Sequence, residues 1–258
     1  MTRWLIAIII TLAAAYYQRT TGPTYPLKGS FTLAGKDQVF RFDRSHESDR
    51  DQPVILLIPD PTIGGEVQWR RFPTQEGWQT LPMTRRGDTL MAALPKQPPA
   101  GKLEYFVMLK SGATSELLPK QGAVITRFKG KVPNAFLIPH ILFMFAAMLL
   151  STRTGLEGLR ANGRPRFYAW ATTIALFVGG MILGCIVQKY AFGAYWTGIP
   201  FGVDLTDNKT LIALLGWVAA TIAVEKNRHA KFWIVTAAIL MLAVYAIPHS
   251  VFGSELKY

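Results

Sequence analysis

After Pro133 the chain reads as if it had changed solvent. Four apolar runs, 135–151, 167–187, 210–224 and 232–251, follow one another with only short charged links between them. A bilayer core of about 30 Å asks a helix for about 17–25 apolar residues. It admits helices because each backbone N–H and C=O is then satisfied within its own segment. The spacing therefore predicts a four-helix transmembrane bundle over 133–258. The run 210–224 is the shortest, rising only about 22 Å at about 1.5 Å per residue. Its outer end is expected below the membrane surface, with Gly198-Ile199-Pro200-Phe201-Gly202 dipping in to meet it.

Charge sets the direction of these spans. The formal charge of +12 would suit a nucleic-acid partner if it were spread over a face. Instead Arg153, Arg160, Arg164 and Arg166 fill one short loop, and Lys226, Arg228 and Lys231 fill another. Short basic loops beside apolar spans are topology signals that mark the cytoplasmic side. Nucleic acid is accordingly not expected, while membrane lipid is. The loop 188–209 and the C-terminus are placed outside the cytoplasm. The lone cysteine, Cys185, lies within a span and excludes an intrachain disulfide or a cysteine-based zinc cage.

The N-terminal half has another character. Residues 1–19 carry a short basic start and an apolar run from Trp4 to Ala15, which suits a signal peptide, with Ala13-Ala14-Ala15 as a cleavage site, or a retained signal anchor. Residues 20–132 are predicted to form an all-β domain. Seven β-prone runs alternate with turn formers such as Ala34-Gly35-Lys36, Arg86-Gly87-Asp88 and Lys110-Ser111-Gly112. That pattern suits an immunoglobulin- or fibronectin-like sandwich, although the Cys…Trp…Cys core of true immunoglobulin domains is missing. Pro98-Pro99-Ala100-Gly101-Lys102 ahead of Leu103-Glu104-Tyr105 resembles the turn into a late strand of fibronectin-like modules. The cluster Asp43 to Asp51 reads as a self-paired surface turn rather than a calcium loop, because Arg44 and Arg50 would oppose a cation. Trp69-Arg70-Arg71 and Trp78 fit an exposed aromatic–basic patch or half-buried sandwich tryptophans equally well.

The candidate site lies at the outer end of the bundle. Ile-Pro-His occurs at 138–140 and again at 247–249, and the topology brings His140 and His249 to similar depth. The intervening loop adds Lys189, Tyr195, Trp196, Asp204, Asp207 and Lys209. In the structural reading, aromatics anchor the loop, Thr206, Asp207 or Asn208 caps the next helix with the Asp204 and Asp207 carboxylates at its positive end, and the histidines bond carbonyls. A second reading makes His140 and His249 ligands of haem or a divalent metal. A third pairs an aspartate with a histidine as the general base of a membrane hydrolase, without any nucleophile motif to support it. Gly180 and Gly184 form a small-residue face suited to close helix packing.

Tyr195-Trp196-Thr197-Gly198-Ile199-Pro200-Phe201-Gly202 and Leu205-Thr206-Asp207-Asn208-Lys209-Thr210-Leu211-Ile212 resemble an uncharacterised family of bacterial inner-membrane proteins. The resemblance runs the length of the chain and implies an exported fibronectin-like domain on a four-helix bundle, with no activity attached. The spans carry almost no ionisable residues, which disfavours a channel or carrier. The function expected is a binding or scaffolding subunit of a membrane complex, joined to a protein partner or oligomer, rather than an enzyme.

Overall fold

A computed structural model of the protein describes residues 1–160, 163–248 and 256. The chain divides into two compact units. Thr24–Lys131, with Glu255–Tyr258, forms a β-rich unit, and Met1–Pro23 joins Val132–Ser254 in a helical one.

The described part of the β-rich unit holds eleven strands. Strands β1 (Leu27–Leu33) and β2 (Lys36–Phe42) make a hairpin whose two turn residues, Ala34 and Gly35, both have positive φ (52° and 72°). Two left-handed residues match the twist of the flanking strands, and this is why so short a turn closes here. A six-stranded sheet contains β3 (Ser45–Glu47), β5 (Gly64–Arg71), β6 (Gln79–Pro82), β9 (Lys102–Ser111), β10 (Thr114–Leu118) and β11 (Val124–Lys129). A three-stranded sheet runs β4 (Gln52–Leu57), β8 (Thr89–Leu94), β7 (Thr84–Arg86).

Alternation decides which face each strand buries. Val54 and Leu56 of β4, Leu90 and Leu94 of β8, and Leu103, Tyr105, Val107 and Leu109 of β9 point into one core shared with Phe31, Phe42 and Phe128. Sheets whose inner faces share a core fit a β-sandwich. Gln52, a buried polar group of this unit, is satisfied on both sides: it accepts from Thr126 Oγ1 at 2.7 Å and donates to Asp43 O at 2.9 Å. Burial pushes the phenol of Tyr105 far above its ordinary range. Trp69 is buried, whereas the half-exposed Trp78 stacks under Arg70, whose guanidinium lies 4.6 Å from the ring centroid and also pairs with Glu104. In the acidic cluster Arg50 pairs with Glu47 and Asp49, and Asp51 accepts from the backbone of Lys96. The strands beyond the seven expected from sequence are β3, β6, β7 and β10. They are three to five residues long and too polar to announce themselves.

The helical unit contains α1 (Thr2–Thr21), α2 (Asn134–Gly158), α3 (Arg166–Phe192), α4 (Leu205–Glu225) and α5 (Ala230–Ala246). Three of these, α2, α3 and α4, are long and apolar enough to cross a membrane, with 22%, 28% and 44% of their most apolar stretches buried inside the protein. Most of that apolar surface therefore needs an apolar solvent. At 17 residues α5 is shorter, rising about 26 Å.

Successive helices run in alternating directions, which leaves the neighbours α1 and α5 parallel, as side-chain bonds across the bundle show. Arg3 of α1 lies 3.7 Å from Glu157 near the end of α2, and Arg166 at the start of α3 bonds Glu225 at the end of α4. At the opposite end Gln18 of α1 donates to Tyr245 O of α5. Glycines set the closest approaches. A Cβ on Gly155 would stand 2.7 Å from Ala238 Cβ, and one on Gly158 2.8 Å from Ile234 Cγ2, so α2 and α5 meet at two glycines three residues apart.

The helices do not coincide with the apolar runs expected from sequence: α3 extends to Phe192 rather than 187, α5 ends at Ala246 rather than 251, and α4 and α2 differ most. Helix α4 begins at Leu205 and has 21 residues, not the short 210–224 run; its rise of about 32 Å removes the reason for a dipping outer end. Its N-cap is Asp204, not Thr206, Asp207 or Asn208, and the Asp204 carboxylate accepts from the backbone of Thr206 at 2.8 Å and of Asp207 at 3.4 Å. Helix α2 likewise continues past 151 to Gly158. It carries Arg153 inside the bundle instead of leaving it in a loop.

Candidate functional site

Helix α3 is not regular. Phe177–Leu183 is a π-helical segment, and inside it Gly179 O accepts the backbone N–H of Gly184. The same carbonyl lies 2.8 Å from His140 Nδ1. A carbonyl can only accept, so Nδ1 carries the proton, and in the singly protonated ring the lone pair is on Nε2. Of three nearby glycines, Gly179 makes room for this contact, Gly180 meets α4, and Gly184 lies at ordinary contact distance from the ring. A Cβ on Gly179 would come 2.9 Å from Phe143 Cβ, one on Gly180 2.6 Å from Thr210 Cγ2, and one on Gly184 3.6 Å from His140 Cε1. The small-residue face expected at Gly180 and Gly184 thus faces two neighbours, α4 and α2.

The carboxylates belong to a separate arrangement. Asp207 Oδ2 accepts from Thr197 N at 2.6 Å, from Gln188 Nε2 at 3.0 Å and from Thr197 Oγ1 at 3.2 Å. Asn208 Oδ1 holds Ile199 N at 2.7 Å, and Asp204 N in turn donates to Thr197 O. The first turn of α4 therefore grips the loop 193–203 by its backbone, which is why short polar residues cluster there. Lys189 reaches back to Gly193 O and lies 5.4 Å from the Tyr195 ring. Trp196 Nε1 donates to Ile199 O within the loop, while Tyr195, Phe201 and Val203 are exposed.

Lys209 is buried and donates to Ile247 O, and Gln18 bonds Tyr245 O. These two side chains complete the end of α5. Pro248 cannot continue a helix, Ile247 before it is extended, and the freed carbonyls need donors from elsewhere. His249 lies outside the described residues, so the pair His140–His249 has one described member. The hydrogen bonds of His140 and those of Asp204 and Asp207 involve different partners. Among the described residues no group of three or more His, Cys, Asp or Glu side chains is placed to hold a metal ion.

Two features escaped sequence reasoning. Arg153 and Glu157 form a buried pair at 2.7 Å, with the guanidinium 4.6 Å from the Tyr168 ring centroid and 5.6 Å from that of Trp4. Their i, i+4 spacing was the available signal. The second is a cavity of about 230 Å³ lined by α1, α2 and α5, including Thr11, Gln18, His140, Met144 and Tyr245. Its signal lay in α1, where Ala7, Thr11, Ala14 and Gln18 recur at helical spacing and mark one face. No family model, curated protein or solved structure matches the chain.

Proposed function

We propose that the protein is a membrane-anchored binding or scaffolding subunit whose β-rich unit engages a protein partner. The observation that carries this reading is the outer face of the three-stranded sheet. Ile55 and Leu57 of β4 are 45% and 63% exposed, and Ile55 pairs across the strands with Met91, which points the same way. Adjacent apolar side chains on an otherwise solvated sheet face are a feature of interaction surfaces.

The helical unit supports an anchoring role. Between its charged ends no Asp, Glu, Lys or Arg occurs in the apolar runs 4–18, 134–152, 167–188, 210–224 and 232–246. Transporters and pumps usually carry such groups in mid-span. The ionisable residues at the ends are engaged in structural bonds, as Arg153 with Glu157 and Lys209 with Ile247 O. By the positive-inside rule the links 159–165 and 226–229 face the cytoplasm and the β-rich unit lies outside it, on four membrane helices with α1 as a retained fifth. A bacterial inner membrane and a fibronectin-like sandwich accord with the resemblance carried by residues 195–212.

A photo-crosslinking amino acid placed at Ile55 in the full-length protein tests the reading in native membranes. One discrete adduct is expected, and it should disappear when Leu57→Glu is added. A chain that stays monomeric and adduct-free would overturn it.

A further inference from the structure

We propose that the cavity between α1, α2 and α5 binds a lipid-soluble alcohol, a single-chain amphiphile whose hydroxyl sits among Thr11, Gln18 and His140. The inference concerns the helical unit and does not depend on the partner proposed for the β-rich unit.

The argument starts from what the wall leaves unsatisfied. Thr11 is only 4% exposed, and its hydroxyl has no hydrogen-bond partner among the described residues. Leaving such a group unpaired costs about 1–3 kcal/mol. A threonine in a helix commonly recovers this by bonding the carbonyl four residues back, as Thr152, Thr154 and Thr221 do here. Thr11 does not.

The remaining polar groups select the ligand. Gln18 uses Nε2 on Tyr245 O at 2.9 Å, which leaves Oε1 as an acceptor. His140 uses Nδ1 on Gly179 O, which leaves Nε2 as an acceptor. The Tyr245 hydroxyl donates its proton to Met144 O at 2.8 Å, so toward a ligand it can only accept, as Gln18 and His140 do. The wall thus offers the acceptors of Gln18, His140 and Tyr245, one hydroxyl able to donate or accept, and no cation. A carboxylate or phosphate head group finds nothing to neutralise it. An ether or ester can accept from Thr11 but leaves those acceptors unpaired. A hydroxyl donates to His140 or Gln18 and accepts from Thr11 at once.

Size and surroundings fix the rest of the ligand. The other lining residues, Ala15, Ile141, Met144, Phe145 and Met148, are apolar, and methionines adapt their shape to a flexible chain. At about 230 Å³ the space falls below the range of about 300–1,000 Å³ typical of drug-sized ligands, so it admits the hydroxyl end of one alkyl chain, the rest of which lies in the surrounding lipid, and not a bulky ring system.

The test uses the full chain in phosphatidylcholine vesicles with a diazirine-bearing hexadecanol, followed by peptide mapping of the labelled residues. Labels are expected between Thr11 and Gln18 and between His140 and Met148. Unlabelled hexadecanol should compete about tenfold better than hexadecyl methyl ether, the scale of one hydrogen bond. Thr11→Val, which keeps the shape of the wall, should reduce that preference to about twofold or less. Ala15→Phe, which fills the space and leaves the polar groups in place, should abolish labelling. Equal competition by alcohol and ether on the unmodified protein would overturn the proposal. So would labels spread over outward residues such as Ile9 and Leu12, or a folded Ala15→Phe protein labelled like the parent.

Discussion

The residue with most at stake in the helical unit is Arg153. Its guanidinium lies in the bundle with its charge answered by Glu157 at 2.7 Å and its faces near Tyr168 and Trp4. A buried ion pair adds little net stability, because desolvating two charges offsets their attraction, but removing one partner leaves a charge with nothing to answer it. Glu157→Gln should therefore cost about 3 kcal/mol, read as a shifted unfolding midpoint in detergent micelles. The double change Arg153→Met/Glu157→Met should cost less than the single one. A loss below about 0.5 kcal/mol for Glu157→Gln is the size of a solvated pair and would show that water reaches the site. Arg3 and Arg160 both lie 3.7 Å from the same carboxylate, so one acid gathers cations from α1, α2 and the link after it.

At the scale of elements, the first turn of α4 does two jobs. Asp204 caps it, and Asp207 reaches out to hold Thr197 and Gln188. Asp207→Ala removes the acceptor shared by three donors and leaves the cap intact. Amide exchange should then rise over 193–203 with little change in α2 or α5; uniform protection across that loop would show that Asn208 and Asp204 suffice. Sequence reading located this loop and its carboxylates because glycine, proline and short polar residues mark a turn and a helix start. It misplaced the start itself. Leu205 to Lys209 is too polar to join an apolar run, and only the cap reveals those residues as helical. It stopped α2 early for a related reason: Arg153 looks like a loop residue until Glu157 one turn later is seen to neutralise it. The larger strands were legible from alternation, whereas Ser45–Glu47 and Thr84–Arg86 are set by their partners, β11 and β8, and carry no pattern of their own. That His140 bonds a carbonyl was one of the readings open from sequence; that the carbonyl is Gly179 O was not, because a π-helical segment shifts a carbonyl by a turn geometry that apolar periodicity does not encode.

On the scale of the whole molecule, α1 is a structural member of the helical unit. Ala7 and Thr11 are buried in it, Arg3 meets Glu157, and Gln18 meets the end of α5. If the chain is used as it is folded here, α1 stays attached. Intact-mass measurement on protein purified from membranes should find the N-terminal 21 residues still present. A mature N-terminus near Tyr16 would mean that the bundle works without them. The bond from Gln18 to Tyr245 O joins residues 227 apart, nearly the full length of the chain. At a synthesis rate of about 5–20 residues per second, the first helix waits about 10–50 s for the last one to be made. During that interval Thr11 and Gln18 face lipid, water or an attending insertase. The order of manufacture thus makes α5 the latch, and a ribosome that stops short of Tyr245 releases a chain whose opening helix has nothing to close against.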